Sequence, residues 1–380
     1  MKKRIASLLI IAAAILAIFK PGGAAAETVR EGVNSPPRTS AAAVILFDAI
    51  GGTVLHERHA DDKRLIASTT KILTALVALE NNNLDEKVLI RPEYVGVEGS
   101  SIYLRAGETV TVRELLYGIM LRSGNDAATA LAYHTSGSVE KFTELMNERA
   151  RELGSVNSNF TNPHGLDGQN HFSTARDLAI IMSAAMQNEE FRKISSTKSI
   201  TIGNRTLRNS NRLLREYEWL VGGKTGFTRA AGRTLVTSAE RDGMLLVCVT
   251  LNAPGDWADH RALYDWAFDQ FQSFRVNRSD MKFVTLPVIS GMRELVNARP
   301  AEDFFLIAPR KDTITMDIEA PRFVYAGVIR GARAGHVVVR QNGEQIARIP
   351  LVYSENVELD ESVRLTRWEG LRKSLRLPNA

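Results

Sequence analysis

The chain opens on an apolar run, Ile5 to Phe19, broken only by Ser7. Beyond a polar stretch, Ala41 to Asp48 and Thr53 to Glu57 read as two strands around the turn Ala49-Ile50-Gly51-Gly52. That hairpin leads into Leu65, Ile66, Ala67, Ile72, Leu73 and Ala75 to Leu79, a segment apolar on nearly every side. Such a pattern predicts a core helix, ending near Glu80-Asn81-Asn82-Asn83. Glu86 to Ile90 reads as a further strand. Thr111 with Glu114 forms a capping box for a helix carrying Leu115, Leu116, Ile119, Met120 and Leu121. It stops at Arg122-Ser123-Gly124-Asn125, and a new helix starts at Asp126. Val139 to Leu153 is amphipathic, and Asn159 to Asn170 is a loop centred on Pro163-His164-Gly165. Ser173-Thr174 caps a helix over Arg176 to Asn188. From about Lys198 strands dominate: Trp219 to Thr225, then Arg233 to Ser238 and Met244 to Asn252, the last two joined through Asp242-Gly243. Asp259 to Phe274 closes the region as a helix with Leu263, Trp266, Ala267 and Phe271 on one face. Strands, then helices, then strands predict an α/β fold: one antiparallel sheet with a helical cluster against it and no βαβ alternation.

The rhythm changes after Val276-Asn277-Arg278. Residues 281–356 hold short alternating runs separated by turns such as Gln341-Asn342-Gly343-Glu344, the pattern of a small all-β domain. In the tail, 357–380, Leu365, Trp368, Leu371 and Leu375 share one helical face, and Arg364, Arg367, Arg372, Lys373 and Arg376 fill the others. A basic amphipathic helix with one Trp suits an anionic membrane interface; packing on the β domain is the competing reading.

At the other end, Met1-Lys2-Lys3-Arg4 precedes the apolar run, and Ala24-Ala25-Ala26 offers a small-residue cleavage site. Residues 1–26 therefore read as a secretory signal peptide, followed by a lead-in over 27–40 and a globular domain over 41–276. The protein is expected to be exported and to work outside the cytoplasmic membrane. Cleavage removes four cations and no acid, which leaves about +1 of the formal +5. The basicity thus gives no argument for nucleic-acid binding. The single cysteine, Cys248, sits in an apolar run and leaves an exported chain with no internal disulfide.

The core helix contains the candidate chemistry. Ser68 and Lys71 are three residues apart, so their side chains share a face. A lysine in so apolar a helix is expensive unless it is neutral or paired. Ser-x-x-Lys alone selects nothing, because it also occurs at Ser138–Lys141, Ser195–Lys198 and Ser279–Lys282. Two further patterns single out the first. Ser123-Gly124-Asn125 falls in the turn between two helices, and Lys224-Thr225-Gly226, the one Lys-Thr-Gly of the chain, ends a predicted strand.

This ordered trio resembles the signature of the penicillin-recognising serine hydrolases. Over about residues 38–275 the chain is similar to the serine-type D-Ala-D-Ala carboxypeptidases, the low-molecular-mass penicillin-binding proteins. Gly99-Ser100-Ser101, Asn162-Pro163-His164-Gly165-Leu166, Ser173 to Ala179 and Lys224-Thr225-Gly226-Phe227-Thr228 carry the likeness as well. The resemblance implies an acyl-enzyme mechanism on peptidoglycan stem peptides, with β-lactams as covalent inhibitors. Ser68 would be the nucleophile, Lys71 its base and Ser123 the proton relay. Asn125, Lys224, Thr225, Gly226, Phe227 and Arg261 would bind substrate, with Phe227 giving an oxyanion donor and Thr225 and Arg261 gripping the terminal carboxylate. His164 reads as structural. No histidine pair has metal-ligand spacing and no phosphate-binding glycine loop occurs, so neither metal nor cofactor is expected. Two other readings stay open: a β-lactamase, although the chain has no Glu-x-x-Leu-Asn, and a non-catalytic sensor of muropeptides or β-lactams.

Overall fold

The computed structural model describes residues 33–360 and Ser362, which divide into two compact units at Gln272/Ser273. The signal peptide and residues 363–380 of the tail lie outside the described residues; the expected start of the tail is corrected, because Val357 is buried in the β domain and pairs with Val328, and Leu359 pairs with Gly291.

In the first unit β1 (Ala43–Asp48) and β2 (Val54–Arg58) form the hairpin. A 3-10 turn, Ala67–Thr70, runs into helix α1 (Lys71–Asn81), whose residues are buried from Lys71 through Ala78. The short strands β3 (Lys87–Leu89) and β4 (Thr109–Thr111) pair before α2 (Val112–Arg122), which starts at the expected Thr111–Glu114 capping box. Then come α3 (Asn125–Ser136), α4 (Val139–Glu152), α5 (Ala175–Met186) and α6 (Glu189–Ser196). The hairpin β5 (Ser199–Ile202) with β6 (Arg205–Arg208) and the single turn α7 (Leu213–Glu216) lead to β7 (Leu220–Thr228), β8 (Gly232–Arg241), β9 (Met244–Leu251) and α8 (Asp256–Gln270).

The five long strands form one antiparallel sheet in the order β2-β1-β9-β8-β7. β9 is central and buried throughout, as its unbroken run Met244 to Leu251 requires. α1 is enclosed by α2, α3, α4 and α5, which explains why it is apolar all round. Its cluster continues into the sheet through Ile45, Val236, Val247 and Val249.

Three further expectations need correction. Lys224 does not end a strand: it lies in the middle of β7, which continues through Gly226 and Phe227 to Thr228. The last helix does not run to Phe274 but stops at Gln270, and Phe271 begins β10 (Phe271–Val276). The helix expected over Arg176 to Asn188 breaks after Met186, and Asn188 caps the separate helix α6 through its side chain.

The second unit is all-β. The strands β11 (Val284–Ile289), β12 (Leu295–Pro300), β14 (Ile314–Glu319), β15 (Val324–Tyr325), β16 (Arg333–Gln341) and β17 (Glu344–Tyr353) form a sheet in the order β14-β16-β17-β12-β11-β15. β10 pairs separately with β13 (Phe304–Pro309). Leu286, Val296, Val337, Val339 and Leu351 supply its core.

Candidate active site

The site forms where the start of α1 meets the free edge of β7. Ala67, just before the serine, adopts a left-handed backbone (φ 47°), a costly conformation for a residue with a Cβ. β7 approaches so closely that a Cβ on Gly226 would lie 2.9 Å from the Ser68 nitrogen. From the other side, a Cβ on Gly165 would lie 1.9 Å from the Ala67 carbonyl oxygen. Glycine at both positions lets the strand and the 162–166 loop grip the serine turn.

Lys71 is fully buried and points back along α1 to Ser68, with Nζ 3.0 Å from Oγ. Nζ also bonds to Asn125 Oδ1 at 2.7 Å and to the main-chain carbonyl of His164. The amine thus has three neighbours, and two are carbonyl oxygens that only accept. A neutral amine has two N–H donors and one lone pair. As an ammonium it donates to Ser68 Oγ as well as to the two carbonyls; once neutral, its two donors suffice for the carbonyls and its lone pair is left for the Ser68 hydroxyl. Burial, reinforced by the charge of Lys224, pushes the Lys71 pKa well down; Asp126 opposes this more weakly.

Lys224 is the second buried lysine. Its Nζ donates to Ser123 Oγ at 3.1 Å and to the Thr225 carbonyl at 2.7 Å. Burial lowers its pKa to about 7. Ser123 itself sits at the C-terminal end of α2 in the left-handed region (φ 63°), a position that favours glycine. A serine held there carries a hydroxyl that glycine lacks, and that hydroxyl meets Lys224.

Asp126 fixes the near wall. It accepts from Ser101 Oγ and from the backbone N–H groups of Ile102 and Leu104, which ties the 98–104 loop to the start of α3. The same loop holds Asn125, whose Nδ2 donates to the Glu98 carbonyl. Both ends of the Asn125 amide are thus engaged by the protein, one by Lys71 and one by the Glu98 carbonyl. Thr225 is half-buried on the edge strand, and Phe227 is 65% exposed beside it.

Arg261 is not brought to this cluster. It lies on α8 in a groove with Arg212, Glu216, Trp257 and Asp265, and its guanidinium is 3.5 Å from the Glu216 carboxylate. The cation in register with Phe227 is instead Arg233, on β8, paired with the buried Asp256. The sequence reading missed the His164 carbonyl altogether. It is a main-chain group, and only the glycine-bounded loop around it was a signal. Among the described residues no group of His, Cys, Asp and Glu side chains is arranged to hold a metal.

A helix-start serine, a buried lysine of lowered pKa on its hydroxyl, and a second lysine–serine pair on a sheet edge define a serine acyl-transfer hydrolase. Comparison with known proteins narrows the class. The family profile described as D-alanyl-D-alanine carboxypeptidase matches residues 30–255, and that of the penicillin-binding protein 5 C-terminal domain matches residues 271–359. The chain belongs to the D-alanyl-D-alanine carboxypeptidase family. It is 35% identical to D-alanyl-D-alanine carboxypeptidase DacC of Escherichia coli over 366 residues, covering 91% of this chain and 90% of that protein. It is 29% identical to DacF of Bacillus subtilis over 372 residues, covering 94% and 95%. Penicillin-binding protein 5 from Haemophilus influenzae has a similar structure, with a TM-score of 0.70 and 30% identity over 85% of this chain and 99% of that one.

Two tests address the geometry. Ser123→Gly relieves a left-handed serine while removing a hydroxyl. It should leave the melting temperature unchanged or raised, yet slow D-alanine release by about a hundredfold or more; a fully active variant would remove Ser123 from the site. Lys224→Met takes a cation away from Lys71 and so raises the Lys71 pKa. The rising limb of the acylation rate against pH should then move to higher pH, measured by stopped-flow penicillin acylation.

Proposed function

We propose that the enzyme removes the terminal D-alanine of peptidoglycan stem peptides through an ester on Ser68. The observation that carries this reading is the three-partner environment of Lys71, which holds its amine 3.0 Å from the Ser68 hydroxyl and, once the amine is neutral, leaves the lone pair for that hydroxyl. Lys71 takes the Ser68 proton as Oγ attacks the carbonyl between the two D-alanines. The Ser68 N–H and the Phe227 N–H receive the oxyanion, one from the helix start and one from the β7 edge. The C–N bond then breaks. The proton returns through Lys71, Lys224 and Ser123 to the departing amine. Water hydrolyses the ester, again with Lys71 as base. Thr225, beside Lys224 on the strand, receives the terminal carboxylate. Lys224 lies next to Thr225, whereas Arg261 faces Glu216 in the α8 groove.

A β-lactam offers the same carbonyl but keeps its leaving amine tethered, so Ser68 is held as a long-lived ester. The signal peptide and the basic tail together support an exported enzyme on the outer face of the cytoplasmic membrane. Among the described residues no helix is long and apolar enough to cross a membrane. The basic amphipathic face of Leu365, Trp368, Leu371 and Leu375 with Arg364, Arg367, Arg372, Lys373 and Arg376 is the feature that favours peripheral attachment through the tail.

Ser68→Ala should abolish both fluorescent-penicillin labelling and D-alanine release from a diacyl-Lys-D-Ala-D-Ala peptide; labelling that survives would end the assignment of the nucleophile. Truncation after residue 362, which spares the core residue Val357 and the pairing of Leu359 with Gly291, should move the protein from the membrane fraction to the soluble fraction with its carboxypeptidase activity intact. An unchanged distribution on flotation would exclude the tail as anchor.

A further inference from the structure

His171 is buried, is not needed for any step above, and yet sits two hydrogen bonds from the nucleophile turn. Its Nδ1 accepts from the Thr161 backbone N–H at 3.1 Å, so its own proton is on Nε2. Nε2 lies 2.9 Å from Thr70 Oγ1 and donates to it. That hydroxyl in turn donates to the Ala67 carbonyl at 2.9 Å. The peptide that carries the Ala67 carbonyl also carries the Ser68 N–H. Because the unit is planar and trans, fixing the direction of one fixes the other. Ala67 is at φ 47°, where the backbone does not hold itself, and Gly165 presses on the same carbonyl.

We propose that His171 is a positioning residue for the acyl transfer: through Thr70 it sets the plane of the Ala67–Ser68 peptide and so aims the Ser68 N–H at the oxyanion. The imidazole works as a neutral relay with one acceptor and one donor. Burial lowers its pKa to about 4, so the relay persists at the pH of catalysis. The inference rests on Ser68 as nucleophile and oxyanion donor.

A glutamine amide spaces an acceptor oxygen and a donor nitrogen as the imidazole does, and leucine offers neither. Wild type, His171→Leu and His171→Gln should therefore be compared by rapid benzylpenicillin acylation, which separates the pre-acylation dissociation constant from the acylation rate constant. His171→Leu should lower the rate constant by about ten- to a hundredfold with the dissociation constant unchanged, and His171→Gln should restore most of it. Thr70→Val, which keeps the shape of the side chain and removes the relaying hydroxyl, should reproduce the loss. It carries the same test if His171→Leu does not fold. Acylation at the wild-type rate in either variant, a loss confined to the dissociation constant, or failure of both to fold would overturn the proposal. Ser68→Ala in the same assay keeps the two readings apart. If it still acylates, the nucleophile assignment fails; if it is dead while His171→Leu is normal, only the relay fails.

Discussion

The structure depends on holding two lysine amines out of water. Lys71 and Lys224 are both essentially without exposed surface, and each would be far more stable as a solvated ammonium. The protein meets that cost in two ways. It supplies polar partners, two carbonyl oxygens and a hydroxyl for Lys71, a carbonyl and a hydroxyl for Lys224. It also makes the neutral form the easier one to bury, since burial lowers both pKa values. The first device orients each amine. The second makes Lys71 a base at a pH where an exposed lysine would carry a proton.

That arrangement dictates the packing around it. Lys71 can be dry only because α2, α3, α4 and α5 surround α1. Its hydroxyl partner can nevertheless face a substrate because the serine turn stands at the end of α1, against the free edge of β7. The close approach of β7 needs Gly226, and that of the 162–166 loop needs Gly165. Neither glycine does chemistry. Each removes the Cβ that would hold a hydrogen-bonding surface away from Ser68.

Much of this was legible in the sequence, for stated reasons. The all-apolar pattern of α1 required enclosure on every side, and the run from Met244 read as a hairpin strand, which the structure places at the centre of the sheet. The trio Ser68–Lys71, Ser123–Asn125 and Lys224–Gly226 is made of side chains, so its pattern survives in the one-letter string. Other parts were hidden because the information is in the backbone. The His164 carbonyl and the peptide plane at Ala67 leave no trace in residue identity. Strand ends were blurred as well: Lys224-Thr225-Gly226 reads as a strand terminus because glycine breaks strand patterns, but here glycine marks a close approach within β7. Arg261 lies away from the cluster for a different reason. A helix-borne arginine after the last strand fits the expected layout, but α8 turns this one toward Glu216.

The same desolvation links activity to stability. Lys224 holds its proton to about pH 7 in the native protein, and an unfolded lysine holds it to about 10.5. Between those values the unfolded chain binds more protons, so native stability rises with pH through this window. Above it the burial penalty for the cation is absent; below about pH 7 the penalty is present in full. Lys71 is displaced in the same direction. The protonated site is therefore both the less stable and the less reactive one, and the neutral amine that the fold prefers to enclose is the form that can take a proton from Ser68. Catalysis in this fold does not require a strained charge to be kept in reserve. It follows from excluding water around an amine that, once neutral, has its lone pair left for the nucleophile.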